Sequence, residues 1–347
     1  MPSKVAGVID APLDMFGTAK KKLSAFMAVS MPNRSSIVRR YFIPRRACRK
    51  VRIPRQWGIR EIVPHGRRAV TVCIAVGCDC EIAGKKPKII FVSDLLLSVG
   101  FTSSESTIKV RRLAKGWTIM FAGRDVSHAP SVIHTAGIKL EGQDKTGAFQ
   151  AATAIAESYQ LVRRVQLENK FLGTYGMNMK EFLSQGRKIF PESHYLNLIY
   201  EMERYDLGCQ FLVAGFGSDE AKFPSFFTVS NPGEFSPLDD IGYGAIGSGD
   251  ANAISYLARR NQDEYQSCER SLYTAIAAKH LAEKAEGVGK QTFVVVAECG
   301  NDTPCFLDEP SIEEISKMWR DEEQNIMPKD LEQRISRLGV NSKAAGM

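Results

Sequence analysis

No stretch of the 347-residue chain approaches eighteen consecutive apolar residues, so no transmembrane helix is expected. There is no G-x-x-x-x-G-K-[ST] run, and so no phosphate cradle of the P-loop kind. The Gly287-Val288-Gly289-Lys290 stretch follows a helical pattern rather than a strand and lacks that context. Eight cysteines lie at positions 48, 73, 78, 80, 209, 268, 299 and 305. Cys78-Asp79-Cys80 is too tight for a usual zinc knuckle, and no second Cys/His pair has ligand spacing. These absences predict no metal and no cofactor. They also predict free thiols of a reducing compartment, hence a cytoplasmic protein.

Acidic residues are scarce at one end. Residues 1–70 hold three Asp/Glu against sixteen Lys/Arg, whereas residues 71–347 hold thirty-six against thirty. The formal net charge of +7 therefore divides into a strongly basic extension and a mildly acidic body. Residues 1–68 show no sustained hydrophobic period and mix Pro and Arg with isolated apolar residues, which reads as extended, partly disordered chain. The segment suits a propeptide, an organelle-targeting segment, or an early-called start with Met27 or Met31 as the true one. Lys20 to Met31 is a weak signal-peptide look-alike without a clear cleavage box. Contact with nucleic acid or a membrane is expected only through residues 1–70.

The body from residue 71 is sharply patterned. A 44% hydrophobic content suffices for one large core or two modest ones. "AVTVCIAVG" and "KIIFVS" read as strands. "STIKVRRLAKG" and "WTIMFAG" read as a hairpin through Lys115-Gly116. Residues 147–172 repeat apolar residues at helical spacing. Residues 179–203 form one or two further helices with a break near Phe190-Pro191. Strands return at 209–217, 223–233 and 241–247. Helices follow at 251–260 and 268–287, then a last strand "QTFVVVAEC". The tail from residue 310 to about 340 reads as two polar helices. Strands and helices alternate in blocks rather than as single βα units. That argues for an α+β fold of two mainly antiparallel sheets with helices packed outside them. The domain reading is a basic extension over 1–70, a body over 71–309, and a polar helical tail over 310–347.

Two charged residues stand out at the rims of apolar strands. Asp94 ends "IIFVSD", and Lys109 follows fifteen residues later. Thr71 opens the first strand, Gly123 closes "FAG" fourteen residues past Lys109, and Ser248 sits in "AIGSGD". This ordered set resembles the proteasome β-subunit family of N-terminal-nucleophile hydrolases, with the bacterial proteasome-like members most similar. The resemblance runs from Thr71 to about Glu298. It implies a four-layer αββα sandwich assembled into homo-oligomeric rings, acting on peptides or unfolded protein, and leaves open an ATP-dependent unfoldase partner. It also implies roles: Thr71 as nucleophile, Asp94 as support for the catalytic Lys109, Gly123 as oxyanion donor, and Ser248 and Glu286 as positioning groups for the amine and its water.

The chemistry explains why such residues would be needed. A threonine hydroxyl is a poor nucleophile without a base, and a free Thr71 α-amine, with a pKa of about 8, could serve as that base. Lys109 would favour the neutral amine, and Asp94 would hold Lys109 charged. Read singly, each residue has a simpler role. Lys109 would be a solvated edge-strand lysine, Ser248 a helix cap, Asp94 and Gly123 turn formers, Glu286 a surface acid, and Thr71 a β-former. Two departures count against activity. Val70 stands where the family usually has glycine, and a β-branched residue resists the strained backbone of an N-to-O acyl shift. The loop between Thr71 and Asp94 is longer than the family's. The expected function is a threonine peptidase made as a precursor. Its competitors are a catalytically inactive structural or regulatory ring subunit and an amidase acting on a small amide.

Overall fold

A computed structural model describes residues 71–99, 102–143, 145–218 and 220–324. The basic extension over 1–70 and the second tail helix lie outside the described residues. Two five-stranded antiparallel sheets form the centre. The first contains β1 (Val72–Cys78), β2 (Lys88–Asp94), β10 (Tyr243–Gly247), β11 (Thr292–Glu298) and the short β12 (Cys305–Phe306), in the order β10-β1-β2-β11-β12. The second contains β5 (Val110–Ala114), β6 (Trp117–Gly123), β7 (Cys209–Gly215), β8 (Ser225–Ser230) and β9 (Glu234–Pro237), paired in sequence order. A separate hairpin, β3 (Leu96–Val99) with β4 (Thr102–Glu105), follows Asp94.

The apolar runs read as strands are buried on both faces, and the period of two divides each strand between two cores. On β1, Val72, Ile74 and Val76 face the helices α5 (Asp250–Arg259) and α6 (Cys268–Ala282), meeting Ala253, Leu257 and Ile276. Cys73 and Ala75 point the other way, into the layer between the sheets, with Phe91, Met120, Leu212 and Phe226. The outer face of the second sheet is covered by α1 (Ala129–Leu140) and α2 (Ala148–Leu167) around Trp117, Ile155 and Tyr159. The result is the expected four-layer helix–sheet–sheet–helix sandwich. The α3 (Met179–Ile189) and α4 (Glu192–Glu203) pair forms a smaller core of its own around Phe182, Tyr195 and Met202.

Several sequence expectations are refined. Phe190 caps α3 and Pro191 opens α4, so the break falls where proline removes a donor. The β5–β6 hairpin turns at Gly116, whose φ is +73°. Helix α1 and the β3–β4 hairpin received no assignment from sequence, because Pro130 and Gly137 dilute the helical pattern of α1. Helix α6 ends at Ala282 rather than Gly287. The first tail helix, α7 (Glu309–Gln324), packs on α6. Ile312 and Ile315 join the α5–α6 core, and Trp319 stacks on His280 with ring centroids 4.9 Å apart. No helix among the described residues is long and apolar enough to cross a membrane.

Candidate active site

The start of β1, the end of β2 and the residue before β5 converge on one buried point. Thr71, Asp94 and Lys109 are each no more than 2% exposed. The Lys109 ammonium donates to Asp94 Oδ1 at 2.8 Å and to Thr71 Oγ1, and the Thr71 hydroxyl donates in turn to Asp94 Oδ1. The three groups close a hydrogen-bonded triangle. Burial excludes a solvated edge lysine, since an ammonium this deep needs a paired carboxylate.

Asp94 is held in place by the backbone. Its Oδ1 also accepts the Val72 N–H at 2.9 Å, and its Oδ2 accepts the N–H groups of Leu96 at 3.2 Å and Gly289 at 3.1 Å. Gly289 had no role in the sequence reading. A Cβ there would lie 2.6 Å from Leu96 Cβ and 3.0 Å from Asp94 Oδ2, so glycine lets the loop after α6 reach the carboxylate. Glu286, in the same loop, is solvent-exposed.

Ser248 does not cap α5, whose N-cap is Gly249. Its hydroxyl instead accepts the Thr71 N–H at 3.4 Å and donates to the Thr71 carbonyl at 3.3 Å. The neighbouring Gly247 has φ +109°, and a Cβ would come within 2.2 Å of the Thr71 carbonyl oxygen. Gly123 ends β6 in the facing sheet with φ +154°, where a Cβ would meet the Gly208 carbonyl oxygen at 2.1 Å. Contact between the sheets near this end is direct, because the Cys73 thiol donates to the Phe121 carbonyl at 3.4 Å. Burial pushes that thiol up to about 12, with Lys109 opposing and Asp94 adding, so Cys73 is a neutral packing group. The structure thus joins Thr71, Asp94, Lys109 and Ser248 directly, with Gly123 at the end of β6 and Glu286 on the surface of the α6–β11 loop. No group of three or more Asp, Glu, His or Cys able to hold a metal occurs among the described residues.

The architecture is an αββα sandwich of two antiparallel sheets. Solved structures with this fold include Anbu (ancestral beta-subunit) from Yersinia bercovieri, with a TM-score of 0.53 and 14% identity over 75% of this chain and 98% of that one. An Anbu (Gly-1) mutant from Hyphomicrobium sp. strain MC1 aligns with a TM-score of 0.51 and 13% identity, covering 75% and 99%. The helical assembly of the Anbu complex from Pseudomonas aeruginosa gives 0.52 and 16%, covering 80% and 100%. No protein-family model matches the chain, and no curated protein matches it. These findings correct the sequence-based placement in the proteasome β-subunit family beside its bacterial proteasome-like members. What this chain shares with the Anbu structures is the fold. Six spaced residues can agree with a fold's geometry while the side chains between them carry no family pattern.

Proposed function

We propose that this chain is the precursor of a threonine-type amide hydrolase that cleaves peptides, with Thr71 Oγ1 as its nucleophile. The observation that carries this reading is the buried Thr71–Lys109–Asp94 triangle. A hydroxyl between an ammonium and a carboxylate at the edge of a sandwich is costly to build for packing alone.

In the uncleaved chain the Thr71 nitrogen is a peptide amide and has no basicity. Cleavage before Thr71 would convert it to an α-amine beside its own hydroxyl. That amine takes the Oγ1 proton as Oγ1 attacks a substrate carbonyl. Lys109 stabilises the developing alkoxide, and Asp94 keeps Lys109 charged. The Gly123 N–H is the oxyanion donor, and Ser248 orients the amine. The protonated amine then releases its proton to the leaving nitrogen. Water, activated by the same amine, hydrolyses the acyl-threonine ester.

Self-association is part of the proposal. Leu183, Ile189, Leu196 and Tyr200 of α3 and α4 are each at least half exposed, an apolar surface suited to a second copy of the chain. A head-to-tail contact of this kind closes into a ring or continues as an open helix according to its rotation, and one Anbu structure is a helical assembly.

The test is intact mass and N-terminal sequence of the purified protein beside Thr71→Ala. A mature chain beginning at Thr71, absent from the variant, supports the reading, with covalent trapping on Thr71 as the next step. A chain that stays uncleaved after assembly removes the general base. Val70 favours that second reading, a structural subunit of this fold without threonine chemistry.

A further inference from the structure

Helix α6 carries a lysine where its apolar stripe calls for a hydrophobic residue. Lys279 is fully buried, as are Ala275, Ile276, Ala278 and Ala282 of the same helix. An ammonium at that depth is unfavourable unless hydrogen-bonded partners hold it, and methionine or leucine would fill the space without that cost. The Lys279 Nζ donates to the Glu283 carboxylate at 2.6 Å, one turn along α6, and to the Lys290 carbonyl oxygen at 2.6 Å, in the loop between α6 and β11.

That loop reaches the candidate active site. Gly289, the residue before Lys290, donates its N–H to Asp94 Oδ2 at 3.1 Å. Val288, before it, is buried, and a Cβ on Gly249, the residue after Ser248, would lie 3.1 Å from Val288 Cγ2. Three consecutive loop residues therefore meet the Ser248 turn, the Asp94 carboxylate and the Lys279 ammonium. Residues 287–290 belong to neither helix nor strand, so no repeating backbone ladder fixes the Gly289 N–H. On its other side the network runs outward. Glu283 Oε1 lies 2.8 Å from His280 Nδ1, and His280 Nε2 lies 2.7 Å from Ser316 Oγ of α7.

We infer that Lys279 is a positioning residue for Asp94. By holding the Lys290 carbonyl it keeps the Gly289 N–H on Asp94 Oδ2, and so keeps the carboxylate aimed at Lys109 and Thr71. Lys279 itself touches no reacting atom. Its effect on turnover rests on the threonine-hydrolase reading, whereas its effect on the loop does not. Without the ammonium the Lys290 carbonyl loses that donor, and the loop opens more often. While Gly289 is away, Asp94 Oδ2 keeps the Leu96 N–H, and the carboxylate is freer to rotate away from Lys109.

The experiment is amide hydrogen exchange of the full chain, read by mass spectrometry at single-residue resolution, for wild type and Lys279→Met. Methionine keeps the stem packed and removes the donor. The Gly289 amide should exchange about tenfold faster in the variant, while the amides of β2 and β11 change by less than about twofold. On the processed chain the same variant should lower kcat on a peptide substrate by about ten- to a hundredfold and leave KM within about twofold. Glu283→Gln keeps Lys279 in place with a weaker partner, and it decides the matter if Lys279→Met does not fold. It should speed Gly289 exchange by about threefold. Gly289 exchange that stays at the wild-type rate, or rises only in step with β2 and β11, would overturn the inference, as would a raised KM with kcat unchanged. A wild type that hydrolyses no peptide, with Gly289 exchange still governed by Lys279, would remove the hydrolase reading and leave the positioning of Asp94 supported.

Discussion

Deleting either side of the Lys109–Asp94 pair should have unequal effects, and deleting both should be milder than deleting the carboxylate. Asp94 accepts from Lys109, Thr71 Oγ1 and the N–H groups of Val72, Leu96 and Gly289. In Lys109→Met the alkyl stem stays packed, and the carboxylate keeps four of those five donors. The expected loss is about 1–3 kcal/mol. Asp94→Ala instead leaves an ammonium that is 2% exposed without its counter-charge, together with three orphaned N–H groups. Breaking a buried pair in this way costs about 3–5 kcal/mol, before the N–H groups are counted. Adding Lys109→Met to Asp94→Ala removes the stranded charge. The double variant should therefore be more stable than Asp94→Ala by about 1–3 kcal/mol. Urea unfolding of the four proteins, with identical termini verified by mass, measures this. Additive losses, with the double variant the least stable, would refute the argument that Lys109 is a buried, charged partner of Asp94.

Three further outcomes follow from the same geometry. Gly247→Ala would drive a Cβ to within 2.2 Å of the Thr71 carbonyl oxygen, so it should both abolish processing at Thr71 and lower the thermal midpoint, as read by mass and calorimetry. Gly123→Ala meets the Gly208 carbonyl oxygen at 2.1 Å and should destabilise by about 2 kcal/mol or more in chemical denaturation. Burial pushes the Glu283 carboxyl up, but hydrogen bonds from His280 and Lys279 outweigh it and hold the group below its ordinary value of 4.5. Its stabilisation is present above that value and is lost as pH falls through the lower folded-state pKa. Stability curves from pH 6 to pH 3 should therefore fall less steeply for Glu283→Gln than for wild type.

Much of the fold was legible in the sequence because burial on both faces demands continuous apolar strands. "VCIAVGC" and "KIIFVSD" announce themselves in that way. A lone carboxylate at a strand end and a lone lysine in an apolar setting were legible for the converse reason, as groups that such strands would otherwise exclude. Helix α1 was not, since its apolar stripe is short and begins at a proline. Family membership was not legible either. The fold constrains burial and backbone geometry, and the Anbu structures meet those constraints at 13–16% identity.

By itself, then, the sequence determined two antiparallel sheets with helices outside them, the charge asymmetry at residue 70, and the short set of polar residues worth following. Tertiary structure alone decided what those residues touch. It buried Lys109 against Asp94, turned Ser248 from a helix cap into a partner of Thr71, brought the Gly289 N–H to Asp94 Oδ2, and brought the Cys268 N–H to Asp79 Oδ1. The reason is physical. Hydrophobic periodicity is written in side chains and reads locally, whereas a backbone N–H has no letter of its own. Partners 189 residues apart, such as Asp79 and Cys268, meet only when the sheets and helices have packed.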